Sequence, residues 1–310
     1  MTDRMRRTAA LLALLLLCFS FIAVSAAAAE DAQRPRTLPE MRLHQIDIGC
    51  ADAYLLTAGD TVILVDCGQD GKTYSETGSE KLFAYLAASG IDHMDAHIVT
   101  HWHKDHACHI RDLSELYGTE DTVVFGVSAE LPERYLPLPR GTYRQMKDGD
   151  RLTVGPFDLL CVGPSSDEER TGTENPDSLN ILVTYGAHTI LFTGDWVDYT
   201  VRRRWADEIR DVDVLSFPHH GLSPMCIRAE TMRTLNPRVI LIPGGLSSEK
   251  AVKSFVIGEC GVSYYPRFYS NNDGNIQVIS DGVTLRTAYG MKAGEFPAGK
   301  PVNERVRSKP

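Results

Sequence analysis

The chain has 310 residues, of which 43% are hydrophobic and 24% charged, and its formal net charge is −9 at pH 7. This composition excludes a disordered, collagen-like or coiled-coil chain and suffices for one large domain or two small ones. The negative charge argues against stable binding to nucleic acid, because phosphate attraction supplies most non-specific affinity.

The N-terminal segment has the pattern of a secretory signal peptide. Three arginines, at positions 4, 6 and 7, precede an apolar run over residues 9–24, and alanines at 27–29 offer a cleavage site. We therefore predict a signal peptide over residues 1–29 and a secreted or otherwise extracytoplasmic protein, with retention as an anchor as the alternative. No membrane association is expected after cleavage. Residues 30–40 are predicted as a linker, 41–290 as the folded domain and 291–310 as a polar tail.

Strand and helix patterns then follow along the chain. In the first block, helices are predicted over 79–89 and 106–117, and strands over 43–48, 53–57, 61–66 and 95–100. In the second block, a helix is predicted over 199–210, and strands over 121–127, 151–154, 157–162, 179–185, 188–193 and 213–217. A further helix, strand, helix and two strands complete the domain. Two blocks of strands interspersed with helices predict two sheets packed face to face with helices outside.

A cluster of potential metal ligands follows the predicted strand over 95–100. His101 and His103 occupy alternate positions of an extended segment and point to the same side, while Asp105 and His106 come where the chain must turn. One loop can thus present ligands to two metal ions, which is the chemistry of a hydrolase that activates water at neutral pH. A chance histidine tract is the alternative, but this one lies between a strand and a helix.

Other polar residues also follow buried strands directly. Asp66, Asp195 and the pair His219 and His220 each come after an apolar run. Strand ends at one edge of a sheet can converge on a single cleft, so we expect these side chains to meet the ligand cluster.

Taken together, these motifs resemble the metallo-β-lactamase superfamily, and within it the branch that contains the C-terminal hydrolase domain of the competence protein ComEC. The similarity covers about residues 43–287. The residues that carry it are Asp47-Ile48-Gly49-Cys50-Ala51-Asp52-Ala53, Val65-Asp66-Cys67-Gly68, Thr100-His101-x-His103-x-Asp105-His106, Asp177-Ser178-Leu179, Phe192-Thr193-Gly194-Asp195, Pro218-His219-His220-Gly221 and Asn272-Asp273-Gly274-Asn275-Ile276.

The resemblance implies an α+β fold, a four-layer αββα sandwich with a site for two divalent metal ions. Zinc is expected, with manganese or iron as alternatives. It assigns His101 and His103 to the first metal, and Asp195 to both. It assigns Asp105, His106 and His220 to the second metal. Asp66 would orient a ligand histidine or the ligand loop from behind.

Two assignments stay open. His219 and His220 compete for the last ligand position, and we favour His220. His219 is then left to hydrogen-bond a developing oxyanion, to protonate a leaving group or to make a structural hydrogen bond. Many members of the superfamily give the first metal a third histidine, but here only His109 and His188 lie in that interval and neither is suitably placed. Asp177 completes the first site, holds a water there or caps a loop.

We predict a secreted metal-dependent hydrolase that acts on phosphodiesters, either nucleic acid or phosphorylcholine-type esters, with Asp105, Asp195 and His219 as catalytic residues. A hydrolase of lactams, lactones or other acyl substrates is one alternative. A non-catalytic binding protein on the same scaffold is another. The expected partner is a small-molecule or phosphodiester substrate, and the sequence does not indicate an oligomeric state.

Overall fold

A computed structural model describes residues 38–69, 78–165, 170–262 and 265–303. The predicted signal peptide, the linker up to residue 37 and the tail beyond residue 303 lie outside the described residues. Within those residues, no helix combines the length and the apolar character that a membrane span needs.

The strands of the described chain, in order, are β1 Met41–Gln45, β2 Tyr54–Ala58, β3 Thr61–Val65, β4 Ala96–Ile98, β5 Val123–Gly126, β6 Thr142–Gln145, β7 Arg151–Val154, β8 Phe157–Gly163, β9 Asn180–Tyr185, β10 His188–Phe192, β11 Val214–Ser216, β12 Val239–Ile242, β13 Arg267–Ser270, β14 Asn275–Ser280, β15 Leu285–Met291 and β16 Lys300–Pro301. The helices are α1 Gly78–Ala88, α2 Lys104–Ala107, α3 Ile110–Tyr117, α4 Tyr199–Trp205, α5 Ala229–Leu235 and α6 Leu246–Lys253, which continues into a π-helical turn over Ser254–Cys260.

These strands form two mixed sheets. The first has nine strands in the order β16-β15-β14-β1-β2-β3-β4-β5-β6, and the second has seven in the order β13-β12-β11-β10-β9-β8-β7. The sheets meet face to face, since the Tyr54 hydroxyl of β2 lies 2.8 Å from Ser216 Oγ of β11 and the Tyr54 ring lies 5.3 Å from that of Phe192 in β10.

Helices cover the outer face of each sheet. Leu82 and Leu86 of α1 join a buried cluster with Leu64 of β3, and Met232 of α5 joins another with Leu215 of β11. Burial of such apolar faces is the main stabilising term of the fold. The predicted four-layer αββα sandwich is therefore confirmed.

The parallel strands of each sheet place the site. β3, β4 and β5 run parallel in the first sheet, and β10, β11 and β12 run parallel in the second. Within each sheet the carboxyl ends of these strands therefore lie at one edge, and the two edges meet where His106 Nε2 lies 3.0 Å from Asp195 Oδ1. Asp66, the loop after β4, Asp195 and the 219–220 pair all follow these ends.

The segment after β15 lies against the domain as far as residue 303. β16 pairs with β15, and the buried Arg238, which forms a 3.0 Å ion pair with Asp213, donates to the carbonyls of Val302 and Asn303. The described part of the polar tail thus joins the two sheets at this end.

Candidate metal centre

Asp195 stands in the middle of the centre formed by these strand ends. It is 1% exposed and follows β10 by way of Gly194, whose φ is +53°. A Cβ at Gly194 would come within 2.8 Å of the Thr100 hydroxyl, so this turn requires glycine. The Asp195 N–H donates a 3.0 Å hydrogen bond to Ser178 Oγ, which fixes the start of the loop.

The two carboxylate oxygens of Asp195 face different histidines. Oδ1 lies 3.0 Å from His106 Nε2 and 3.7 Å from His220 Nε2. Oδ2 lies 3.7 Å from His101 Nε2. A carboxylate shared in this way is placed to bridge two cations.

The His220 side of the centre consists of Asp105, His106 and His220 around Asp195 Oδ1. His220 Nε2 lies 3.1 Å from Asp105 Oδ2, and the ligand atoms of Asp105, His106 and His220 all lie within 4.8 Å of one another. Ligands about 2.0–2.2 Å from a tetrahedral ion are themselves about 3.3–3.6 Å apart. The spacing on this side therefore fits one divalent cation.

The His101 side consists of His101 and His103 next to Asp195 Oδ2, and it is less enclosed. His101 is fully buried, whereas His103 is half-buried and its ring centroid lies 4.6 Å from that of His101. His103 Nε2 donates to the Thr173 carbonyl over 2.8 Å, which leaves Nδ1 for a ligand. Among the described residues, His103 lies outside the groups whose potential ligand atoms fall within 4.8 Å of one another.

Three buried atoms at the centre lack a well-directed hydrogen bond, namely His101 Nε2, His106 Nε2 and Asp195 Oδ1, and the last two face each other at 3.0 Å. Buried polar atoms are normally satisfied by protein or by ordered water, and these three converge on one small volume. Imidazole nitrogen and carboxylate oxygen both donate a lone pair to a cation. The residues present thus fit bound metal ions.

Two buried carboxylates stand behind the histidines of the His220 side. Asp66 Oδ2 accepts from His106 Nδ1 over 2.8 Å, which is where the sequence placed an orienting acid. Asp52 Oδ1 accepts from His220 Nδ1 over 2.9 Å, and the sequence did not single out this residue. The sequence feature that could have indicated this role is an acid within the apolar run of residues 51–58, because a charge buried there needs a partner.

Charges within the centre shift its pKa values. Burial raises the pKa of Asp195, but the histidines around it outweigh burial and hold that pKa far below its usual range. Burial lowers the pKa of His106 and of His220, but the facing carboxylates reverse this and raise both. Burial dominates at Asp66 and raises its pKa to about 6. The field of the centre is thus one that favours cations.

His219 and His220 point to different places, although both have a left-handed φ, of 54° and 53°. His220 is buried and lies among the potential ligands Asp105 and His106. His219 is 31% exposed, with Nε2 3.8 Å from Asp195 Oδ2, and its Nδ1 lies 3.3 Å from Cys226 Sγ. This geometry favours His220 as the ligand and leaves His219 at the mouth. Strained backbone of this kind is concentrated at functional sites.

Asp177 makes the contacts of a loop-capping residue. Its Oδ2 accepts from the Gly172 N–H over 2.9 Å and from the Thr171 hydroxyl over 3.2 Å, and Arg170 donates to its Oδ1 over 3.4 Å. The loop that Asp177 holds includes Thr173, whose carbonyl contacts His103. The structure therefore connects Asp177 to the His101 side through this loop.

The remaining histidines of that interval contact other groups. His109 Nε2 lies 2.7 Å from Ser79 Oγ, and His188 Nδ1 lies 2.7 Å from Ser280 Oγ. Ser178, which the sequence did not predict as a site residue, lies with Oγ 3.4 Å from His101 Nδ1. His101 thus has a hydroxyl behind it where His106 and His220 have carboxylates.

Comparisons with known proteins agree with this geometry. A family model described as the metallo-beta-lactamase superfamily matches residues 49–244. ComE operon protein 3 of Bacillus subtilis (strain 168) is 26% identical over 229 residues, which are 66% of this chain and 28% of that protein. The probable metallo-hydrolase YhfI of the same organism is 29% identical over 154 residues, which are 46% of this chain and 55% of that protein.

A solved structure is also similar. The crystal structure of the metallo-beta-lactamase fold protein YhfI from Bacillus subtilis aligns with a TM-score of 0.52 and 19% identity, over 77% of this chain and 100% of that chain. In the sequence comparisons, however, this chain spans only 28% and 55% of the two curated relatives. These matches confirm the resemblance that the motifs indicated.

Proposed function

Because this chain belongs to the metallo-beta-lactamase superfamily, we propose that it is a metal-dependent hydrolase and that its substrates are phosphodiesters. The proposal rests on the carboxylate of Asp195, which directs one oxygen toward His106 and the other toward His101. Sites that hold two cations a few ångströms apart are typical of phosphatases and nucleases, where they clamp both oxygens of an in-line displacement.

The charge of the centre supports two cations rather than one. Asp52, Asp66, Asp105 and Asp195 bring four carboxylates together, and each of them pairs with histidine. Two divalent cations would balance four negative charges. His101, His103 and Asp195 would hold one ion, and the His220 side with Asp195 would hold the other.

The metal ions and the side chains around them would have separate roles in the reaction. When bound, the ions would lower the pKa of a water and stabilise the charge that develops on the phosphate. Asp195 fixes the separation of the two binding positions. His219 presents Nε2 at the mouth, where it would transfer a proton to the leaving oxygen. Asp105, whose side chain is 23% exposed, is the carboxylate of the His220 side that borders the substrate.

Zinc is the proposed metal, with manganese and iron as alternatives, because imidazole and carboxylate ligands suit all three. We also propose that the protein is exported. The support for export is the signal-peptide pattern of residues 1–29. The acidic net charge of −9 supports a small phosphodiester over a long nucleic acid.

A substrate panel tests the proposal. The purified protein, loaded in turn with zinc, manganese and iron, is assayed with bis-p-nitrophenyl phosphate, nitrocefin and a lactone. We expect hydrolysis of the phosphodiester and little or none of the other two, with His103→Ala strongly reduced. Turnover of nitrocefin or the lactone alone would establish the acyl hydrolase instead. Bound metal without turnover of any of them would favour a binding protein.

A further inference from the structure

The two histidines of the His220 side are held in the same way. His106 Nδ1 donates to Asp66 Oδ2 over 2.8 Å, and His220 Nδ1 donates to Asp52 Oδ1 over 2.9 Å. All four side chains are at most 2% exposed. In its neutral form, a histidine whose Nδ1–H donates to a carboxylate has a free lone pair on Nε2 and a more basic ring, and this form binds a metal ion.

We propose that Asp52 is a positioning residue that sets the tautomer and orientation of His220, as Asp66 does for His106. This inference rests on the metal centre of the proposed function and is independent of the substrate. It also assigns the higher metal affinity to the His220 side, since His101 is backed by a hydroxyl and His103 by a carbonyl.

Backbone bonds fix residue 52 independently of its side chain. The Asp52 N–H donates to the Asp105 carbonyl over 3.1 Å, and the Gly68 N–H donates to the Asp52 carbonyl over 2.8 Å. Residue 52 therefore joins the ligand loop to the segment after β3. A change from carboxylate to amide leaves these backbone bonds in place, so its effect reports on the side chain.

Asp52 is also a cleaner probe than Asp66. The Asp66 carboxylate accepts from the Thr100 N–H and from the Thr100 hydroxyl as well as from His106. Its loss would disturb the start of the ligand loop. The Asp52 carboxylate accepts from His220, and its other oxygen lies 4.0 Å from His106 Nδ1, so both of its oxygens face histidines of the His220 side.

The test is a metal titration that needs no substrate. The metal-free protein is titrated with zinc against a chromophoric chelator. The wild type is expected to bind two ions, one tighter than the other. In Asp52→Asn, the tighter ion should bind about 10- to 100-fold more weakly, while the weaker ion keeps its affinity within about twofold. His101→Ala, which lacks a ligand of the other side, should lose the weaker ion.

Asp47→Asn is the matched control, because Asp47 belongs to the same loop but has a 27% exposed side chain that pairs with Lys81. It should titrate like the wild type. If Asp52→Asn binds both ions as the wild type does, the inference is wrong. Equal weakening of both ions with a lower Tm of the metal-free protein would show a merely structural role and overturn it too. A wild type that binds fewer than two ions would refute the two-metal centre itself.

Discussion

The two sides of Asp195 are built differently. On the His220 side, each histidine is buried and has a carboxylate behind it. On the His101 side, the groups behind the histidines are neutral, and His103 depends on the carbonyl of an exposed loop residue, Thr173. Carboxylate partners raise the basicity of an imidazole and hold its ring in place. We therefore expect the His220 side to be preorganised and the His101 side to depend on the loop that Asp177 anchors.

The largest effect should come from the residue that both sides share. Asp195→Asn keeps the size of the side chain but removes the charge that would bridge the ions, so metal content should fall on both sides. Phosphodiester hydrolysis should drop by about 100- to 1000-fold. Elemental analysis and a bis-p-nitrophenyl phosphate assay measure the two effects. Retention of both ions by this variant would show that Asp195 is not the bridge.

Much of this centre could be predicted from the sequence, because its ligands come directly after apolar strands. Strand ends can converge on one cleft, so the strand pattern led us to expect that the loop from His101 to His106 would meet Asp195, and the family resemblance then divided these ligands between two metals. Asp52 could not be placed in this way, because its partner His220 lies 168 residues away. A hydrogen bond between loops so distant in sequence depends on the sheet order, which the pattern of strands alone did not specify.

The predicted helices differ from the structure for a similar reason. The helical pattern over 106–117 is split into α2 and α3 at Cys108 and His109. At that point the His109 ring turns toward Ser79 and the Gln69 carbonyl. The pattern over 199–210 ends early, at Trp205, whose indole N–H donates to Asp148 over 2.7 Å. Tertiary contacts override local propensity at both places.

The next largest effect is expected for a change at His219, which should lower the rate of hydrolysis without changing metal binding. His219 lies at the mouth, outside both ligand groups, so His219→Asn should leave the zinc content unchanged. If His219 protonates the leaving oxygen, hydrolysis of an alkyl phosphodiester should fall about 100-fold. A p-nitrophenyl leaving group needs no proton, and its release should change much less. An equal loss with both leaving groups would contradict the role of His219 as an acid.

A smaller effect should distinguish the roles weighed for Asp177. Asp177 influences His103 indirectly, because it anchors the loop whose Thr173 carbonyl contacts His103. Asp177→Asn should weaken the ion of the His101 side by about tenfold, the lower end of the range for groups behind a ligand, and leave the His220 side unchanged. The zinc titration described for Asp52 measures this. Complete loss of one ion would identify Asp177 as a ligand.

The smallest effect on activity should come from changing His97, a buried histidine outside the centre. This change isolates one contribution to the loss of folding stability in acid. His97 lies in β4 beside Leu64 and Val124 in the sheet register, and neither ring nitrogen has a hydrogen bond. Burial lowers its pKa from 6.5 to about 3. The folded state therefore binds fewer protons than the unfolded state, and stability is lost as pH falls from about 6.5 toward 3.

At pH 5, protonation of His97 in the unfolded chain should lower the free energy of unfolding by about 2 kcal/mol relative to neutral pH. His97→Leu lacks this proton uptake, so its metal-free form should lose about 2 kcal/mol less between pH 7.5 and pH 5 in urea unfolding. Its activity at pH 7.5 should match the wild type, because the side chain lies on the helix-covered face of the sheet. The remaining acid sensitivity would then come from other groups, among them the buried His44, whose pKa burial also lowers to about 3, and the metal centre, where protons compete with cations for the histidines. An unchanged pH slope in His97→Leu would mean that this imidazole does not carry the acid sensitivity of the fold.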